Sequence, residues 1–279
     1  MIIQRNNDIE QKITQQVQDT WIAQERDRHS IHLSDLLAPR KAYFQRILHK
    51  PPSITEILYY ISGLGIEEKL TRLLGERHVR ARTRLGISYS PDLCLDISPD
   101  LGILLTEVKS RRRALPENNE EAIKETFDYY LAQLSGYCAL DHKNNGLLLV
   151  LSLAEKVDDS YKTEPVLASY LVEYTKRELK ERRKELAHLR ELLGTALRTK
   201  TGGDFDELPQ CPKWMCGREI KTMVVVPHCT TCNKDFATDW GAKKHKEGKK
   251  TNTHDVVFAE YEYNFEPTCK YFNPCNGIE

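Results

Sequence analysis

The chain has 279 residues, enough for one large domain or for two smaller domains that each bury a core. Apolar residues make up 40% of it and charged residues 29%, and 41 basic residues balance 41 acidic ones. The overall charge therefore favours no class of partner, and only local runs of charge are informative. The longest apolar run, residues 146–153, is too short to cross a bilayer, and the N-terminus lacks the pattern of a signal peptide. We expect a cytoplasmic protein with no membrane partner.

The N-terminal part of the chain predicts helices. Residues 8–48 indicate two helical pieces that break around residues 34–39, where Ser34 or Asp35 could cap the second piece. Apolar residues then recur at helical spacing over residues 54–75, which predicts one longer helix.

A change to strand chemistry follows the helices. Residues 93–97 alternate between apolar and other side chains, residues 98–102 have the composition of a turn, and residues 103–109 form a second strand pattern. The segment therefore predicts a hairpin. The remaining elements are a helix over 120–140, a short buried strand over 146–153, a long charged helix over 164–198 and a linker over 199–209.

The hairpin carries the strongest group of reactive residues. Glu107 and Lys109 are two positions apart on one strand, so their side chains leave the same face, and antiparallel pairing brings Asp92 beside Glu107. Two carboxylates at one point suit a hard cation such as Mg²⁺ or Mn²⁺, which polarises a phosphate and lowers the pKa of a water. Lys109 would orient that water or stabilise charge on the phosphate. The alternative is a solvated Glu–Lys pair on an exposed strand.

Other residues extend this group. Gln133 and Tyr137 are four positions apart on one face of the following helix, and Glu67 on an earlier helix offers a third carboxylate. Asp96, on the same strand face as Asp92 but nearer the turn, competes for the place of the first carboxylate. Two runs of basic residues could bind phosphate. They comprise Arg111, Arg112 and Arg113, and Lys243, Lys244, Lys249 and Lys250.

The C-terminal tail, residues 210–279, holds six of the eight cysteines, which in an intracellular chain favours metal over disulfides. Cys229, Cys232 and His245 have the spacing of a two-Cys, two-His zinc finger over residues 229–254, with His254 as fourth ligand after a longer loop. Two partitions of the remaining ligands stay open. In the first, Cys211, Cys216, Cys269 and Cys275 bind a second zinc or an iron–sulfur cluster. In the second, Cys211 and Cys216 join Cys229 and Cys232 in a zinc ribbon.

Several of these motifs together resemble the RecB-like nucleases of the PD-(D/E)XK type, and most of all the CRISPR-associated exonucleases and their phage or archaeal-virus relatives. The resemblance covers roughly residues 30–220 and depends on residues 34–44, 90–93, 106–110 and 133–137. It implies an α/β restriction-endonuclease-like core, a central mixed sheet flanked by helices, followed by the small Cys/His module. It also implies Asp92 and Glu107 as metal ligands, Lys109 as catalytic, and Gln133 and Tyr137 as residues that support the site or contact DNA.

The chain departs from this family at two positions. Glu67 stands where the family often has a metal-binding histidine on the first helix, and a carboxylate can replace it as a ligand for Mg²⁺ or Mn²⁺. Ala38 stands where the family often has a cysteine that ligates an iron–sulfur cluster, so that cluster cannot form in its usual way.

The sequence therefore predicts a nuclease domain over residues 1–200 and a metal-binding module over residues 210–279. The predicted function is a Mg²⁺- or Mn²⁺-dependent deoxyribonuclease, an exonuclease that acts on DNA ends or single strands. The alternative is a non-catalytic nucleic-acid-binding adaptor, or a subunit with protein partners in a recombination, repair or CRISPR-adaptation complex.

Overall fold

The computed structural model of the chain divides into two compact units, Met1–Gln210 and Cys211–Glu279. It describes residues 7–24, 30–74, 80–97, 99–112, 114–156, 163–199, 205–212, 215, 217–225, 227–235, 243–244, 246, 256–258, 260–267 and 269. Residues Arg113, Cys216, His245, Lys249, Lys250, His254 and Cys275 lie outside the described residues.

The first unit begins with four helices, α1 (Asn7–Gln24), α2 (Leu33–Leu37), α3 (Pro39–Leu48) and α4 (Ile54–Leu73). The expected cap of the second helical piece is wrong in detail, because Ser34 and Asp35 lie inside α2 and His32 is the capping residue. The His32 side chain accepts from the backbone of Ser34, and Asp35 accepts from the backbone amide of His32 at 2.8 Å. This reciprocal arrangement satisfies two of the donors that every helix start leaves open.

A four-stranded mixed sheet forms the centre of the first unit. Its order is β3-β4-β5-β6, with β4 parallel to β5 and the two outer pairs antiparallel. The parallel pair requires a crossover, which α5 supplies. A separate small hairpin, β1-β2, precedes the sheet. The elements are β1 (Arg82–Arg84), β2 (Ile87–Tyr89), β3 (Leu93–Asp96), β4 (Ile103–Arg111), α5 (Glu120–Asp141), β5 (Asn145–Lys156), β6 (Thr163–Glu173) and α6 (Lys176–Thr199).

Helices cover both faces of this sheet. On one face Leu105 of β4 belongs to the main core, together with Leu134 of α5 and Leu186 of α6. On the other face Leu104 and Val108 belong to a smaller core that α4 joins through Leu70. Neighbouring residues of β4 therefore point to opposite helical layers, as strand alternation requires. The α/β class and the mixed sheet flanked by helices, predicted from the sequence, are confirmed.

One predicted element is partly wrong. The helix expected over 164–198 is a strand, β6, up to Glu173 and becomes helical only from Lys176. The first part contains the alternating Val166, Tyr170 and Val172, and β6 pairs with β5 along its length. Thr175 then accepts from the backbone of Glu178 and begins α6, whose predicted leucine stripe is buried.

The second unit contains two small sheets. Strands β7 (Gly217–Val225) and β11 (Glu260–Pro267) form an antiparallel pair. Strands β8 (His228–Cys229), β9 (Lys234–Asp235) and β10 (Val256–Val257) form the other, in the order β10-β8-β9. Among the described residues of both units, no helix has the length and apolar character needed to cross a membrane.

Candidate active site

The predicted carboxylate–lysine group lies at the N-terminal end of β3, where β4 extends past its pairing with β3. The first residue pair of the β3-β4 ladder is Leu93 with Thr106. Beyond that pair, the side chain of Asp92 replaces a strand partner, because its Oδ2 accepts from the backbone amide of Val108 at 2.7 Å. Asp92 is thereby held beside Glu107 and Lys109, at an edge of β4 between the two helical layers.

Glu107 is a buried carboxylate with an unusual environment. Its side chain is 0% exposed, and neither oxygen receives a well-directed hydrogen bond within the described residues. Burial and, to a smaller extent, the neighbouring Asp92 raise the pKa of Glu107, whereas the ammonium of Lys109 and the hydroxyl of Tyr137 lower it; together they bring the pKa to about 8. An ionised carboxylate is costly in such a place unless a positive charge compensates it.

Lys109 supplies that positive charge. Its ammonium forms an ion pair with Oε1 of Glu107 and lies 3.6 Å from Oδ2 of Asp92. Burial by itself lowers the pKa of Lys109, but the two carboxylates outweigh it and hold the pKa above its ordinary range. The side chain as a whole keeps 23% of its surface exposed, while its ammonium also donates to the carbonyl of Val108 at 3.0 Å.

Two residues predicted from α5 converge on Glu107. The amide of Gln133 donates to the Tyr137 hydroxyl at 2.6 Å, and Tyr137 is buried against Glu107. Burial and the neighbouring Glu107 carboxylate raise the pKa of Tyr137 above its usual range, so the hydroxyl keeps its proton as a donor.

Glu67 of α4 reaches the same group from the other helical layer. Burial, followed by repulsion from and a hydrogen bond with Asp92, raises the pKa of Glu67 to about 7. Two carboxyl groups in such contact share a proton more readily than they both ionise. The competing Asp96 lies elsewhere, exposed at the turn end of β3 and paired with Ile103.

The aromatic residues around this site were not predicted to belong to it. The ammonium of Lys109 lies 5.5 Å from the centre of the Tyr130 ring, and the guanidinium of Arg111 lies 5.3 Å from that of Phe127. The spacing of Tyr130, Gln133 and Tyr137 at three and four residues was the available signal, because it places all three on one side of α5.

Of the predicted phosphate-binding residues, the structure describes four. Arg111 is half-buried and Arg112 is exposed, with its guanidinium 5.6 Å from the centre of the Tyr59 ring. Lys243 and Lys244 are exposed in the second unit.

The donor set of the site fits a hard cation. Carboxylate oxygens are the ligands that Mg²⁺ and Mn²⁺ prefer, and the buried oxygens of Glu107 lie beside Asp92. Within the described residues, however, no three Asp, Glu, His or Cys side chains converge on one point at ligand distance. The Lys109 ammonium supplies the positive charge beside the two carboxylates, so a bound cation would compete with it for Glu107.

The tail residues are described only in part. Cys229 is buried on β8, Cys232 is exposed on the turn that leads to β9, and Cys211 and Cys269 are half-buried. Their expected partners Cys216, His245, His254 and Cys275 lie outside the described residues.

Comparison with known proteins finds no matching family profile and no matching curated sequence. Two solved structures show a distant likeness. A crystal structure of SSO0001 aligns with 75% of this chain and 91% of its own length, at 16% identity and a TM-score of 0.45. A phage-related exonuclease from Haemophilus somnus 129PT aligns with 62% of this chain and 97% of its own length, at 12% identity and a TM-score of 0.42. Likenesses at these scores do not establish the class of this protein. Its class is judged from its own architecture, which is an α/β unit with a carboxylate–lysine site at the edge of its sheet.

Proposed function

We propose that the chain is a metal-dependent deoxyribonuclease that hydrolyses phosphodiesters at Asp92, Glu107 and Lys109. The observation that carries this proposal is the Glu107 carboxylate, fully buried and without well-directed hydrogen bonds, beside a second carboxylate and the ammonium of a partly exposed lysine side chain. A Glu–Lys pair at the surface is solvated, whereas burying both charges carries a desolvation cost that stability alone does not explain. The RecB-like motifs of the sequence lead to the same proposal.

Each side chain has a distinct task in this mechanism. Asp92 and Glu107, with Glu67 behind Asp92, would hold Mg²⁺ or Mn²⁺, which supplies a Lewis acid and a bound water of lowered pKa. Lys109 places a positive charge where negative charge develops on the phosphate, inside a site that excludes most water. Gln133 orients the Tyr137 hydroxyl, and Tyr137 donates toward Glu107, which lowers the pKa of Glu107 and favours the ionised form that a cation would bind.

The substrate follows from charge and position. Arg111 ends β4 and Arg112 follows it, so positive charge lies beyond Lys109 on both faces of the strand, where a phosphate backbone can contact it. We assign DNA ends or single strands as the substrate, with hydrolysis as an exonuclease. For the tail we propose a zinc at Cys229, Cys232, His245 and His254. A second metal, zinc or an iron–sulfur cluster, would be held by Cys211, Cys216, Cys269 and Cys275.

A cleavage assay with Glu107→Gln tests the proposal. The substitution keeps the shape of the side chain and removes its charge, so we expect cleavage of end-labelled DNA in Mn²⁺ to be lost while DNA binding is retained. Glu120→Gln is the matched control, because Glu120 forms an exposed ion pair with Lys124 on α5. Wild-type protein that binds DNA but cleaves neither strand form would instead favour the non-catalytic adaptor. Equal cleavage by Glu107→Gln and wild type would remove this site from the reaction.

A further inference from the structure

An exposed aromatic ring and a guanidinium meet beside the candidate active site, on the elements that form it. Tyr59 of α4 is 61% exposed, and the guanidinium carbon of Arg112 lies 5.6 Å from the centre of its ring. Arg112 is itself exposed. A large aromatic face left open to solvent gains nothing for the core, since α4 packs on the sheet through other residues such as Leu70.

Both partners are connected to the site by regular structure. Tyr59 lies eight residues before Glu67 on α4, a separation of about 12 Å along the helix axis. Arg112 follows β4 three residues after Lys109. Because successive side chains of a strand point to opposite faces, the two arginines lie on opposite sides of the sheet: Arg111 faces α5 and Phe127, whereas Arg112 faces α4 and Tyr59.

The surface between Tyr59 and Glu67 is open. Gly63 lies midway between them, at a spacing of four residues from each, so the three positions follow one another on successive turns of α4. A Cβ atom built at Gly63 would meet nothing within 4 Å. Glycine in a helix interior costs about 1 kcal/mol relative to alanine. No packing contact among the described residues requires glycine at this position, and the absence of a side chain leaves room for a substrate to approach the helix backbone.

We propose that Tyr59 and Arg112 form a stacking platform for an unpaired base, which makes single-stranded DNA the substrate form that the site accepts. This inference rests on the proposed nuclease function and names its substrate class. Aromatic rings next to basic side chains bind single strands because every base offers a π-face to stack and every phosphate a charge to neutralise. A base pair in the interior of a duplex is already stacked on both sides and cannot lie on Tyr59.

The position of the platform also sets the number of nucleotides between the stacked base and the site of cleavage. At about 3.4 Å per stacked nucleotide, the path of about 12 Å from Tyr59 to Glu67 corresponds to about three or four nucleotides, and to fewer if the strand is extended. The stacked base therefore lies a few nucleotides from the phosphate that Lys109 contacts, and Gly63 provides the clearance between them.

Binding measurements in the presence of a chelator test the platform separately from cleavage. We expect Tyr59→Ala to weaken binding of a fluorescein-labelled oligothymidylate about five- to hundred-fold, the range for loss of one base–aromatic stack. The affinity of Tyr59→Ala for a blunt duplex of the same length as the oligothymidylate should equal that of wild type. Tyr59→Phe should bind as wild type, and Leu58→Ala is the matched control, because Leu58 is the adjacent exposed residue at 56%.

Two further variants separate a binding role from a structural one. Gly63→Leu adds a better helix former where space is open, so it should raise the melting temperature yet weaken oligothymidylate binding. In the DNA, one abasic site moved along the oligothymidylate should weaken binding to wild type at one position near the cleaved end. The same abasic site should have no added effect on Tyr59→Ala.

The outcomes distinguish this inference from the proposed function. Tyr59→Ala that binds oligothymidylate as tightly as wild type, or that loses duplex binding equally, would overturn the platform. If Glu107→Gln abolishes cleavage in the same protein, the nuclease proposal would survive that result. Conversely, a platform that binds single strands in a protein without cleavage activity would overturn the nuclease proposal alone.

Discussion

The backbone amide of Val108 donates a hydrogen bond of 2.7 Å to Oδ2 of Asp92, so the side chain of the residue that precedes β3 extends the β3-β4 ladder beyond its first backbone pair. This bond holds the Asp92 carboxylate beside Glu107 and within 3.6 Å of the Lys109 ammonium. Because β3 begins only at Leu93, no described strand pairs with this edge of β4 beyond Thr106, which is the point where the charged groups meet.

Lys109→Ala should lower the cleavage rate at least about a hundred-fold, the usual cost of removing one group that stabilises transition-state charge. DNA binding should remain, because Lys109 contacts one phosphate whereas binding depends on many. Single-turnover rates and binding isotherms would be measured side by side. Lys124→Ala, which removes an equivalent ammonium from an exposed ion pair, is the control and should behave as wild type.

Cleavage should require Mg²⁺ or Mn²⁺ and disappear in EDTA. Calcium should support DNA binding with little cleavage, because its looser coordination and weaker acidity position and activate water less well. Titration of each cation against cleavage and binding of one labelled DNA would check this. Full activity in EDTA, with tightly bound metal excluded by elemental analysis, would contradict an oxygen-ligand site.

The metal-free protein should lose stability as the pH rises. Glu107, with a pKa of about 8, and Glu67, with a pKa of about 7, hold protons that the unfolded chain releases near 4.5. Their contribution is therefore present below about pH 4.5 and is lost as the pH rises through 7 and 8. Urea unfolding in chelator should give a free energy of unfolding that declines over this window less steeply for Glu107→Gln than for wild type. Identical slopes for the two proteins would contradict the raised pKa of Glu107.

Gly136→Ala should destabilise the first unit by about 1–3 kcal/mol, the usual cost of overpacking a core. A Cβ at this position would lie 2.8 Å from both terminal methyl carbons of Leu33, and Leu33 is fully buried on α2. Gly194→Ala on α6 is the matched control, since its nearest contact would be 3.6 Å away. Alanine there should be neutral or stabilise by up to about 1 kcal/mol. Urea denaturation of both variants would decide, and equal stabilities would show that α2 and α5 are not tightly packed at Gly136.

Cys229→Ser or His245→Ala should each remove about one zinc per chain, because a finger this short has too little core to fold without its metal. DNA binding should become weaker and less dependent on salt, as the lysines near Lys243 and Lys244 lose fixed positions. Native mass spectrometry would count the metals, with Cys94→Ser of the first unit as a control. An unchanged zinc count would contradict the finger and leave Cys211, Cys216, Cys269 and Cys275 as the remaining ligand set. A lower zinc count with unchanged DNA affinity would make the finger a structural or protein-binding module.

The sequence by itself determined the features that depend on local periodicity. Alternation with a period of two placed Glu107 and Lys109 on one face of β4, and the hairpin pattern placed Asp92 next to them. Helical spacing in the same way placed Gln133 and Tyr137 together on α5. Strand β6 escaped prediction because its leucine and alanine residues also suit a helix. Its pairing with β5 decides the matter through contacts that are distant in sequence.

Only the tertiary structure decided the environment of the charges. Full burial of Glu107, contact of Glu67 with Asp92, and the arrangement of Tyr130 beneath Lys109 all join elements that are far apart in the chain. Burial and the approach of like charges set the pKa of a carboxyl group, and both depend on packing in three dimensions. The order of residues along β4 could therefore identify the reactive side chains, but not the pKa values and the open platform that packing against α4 and α5 produces.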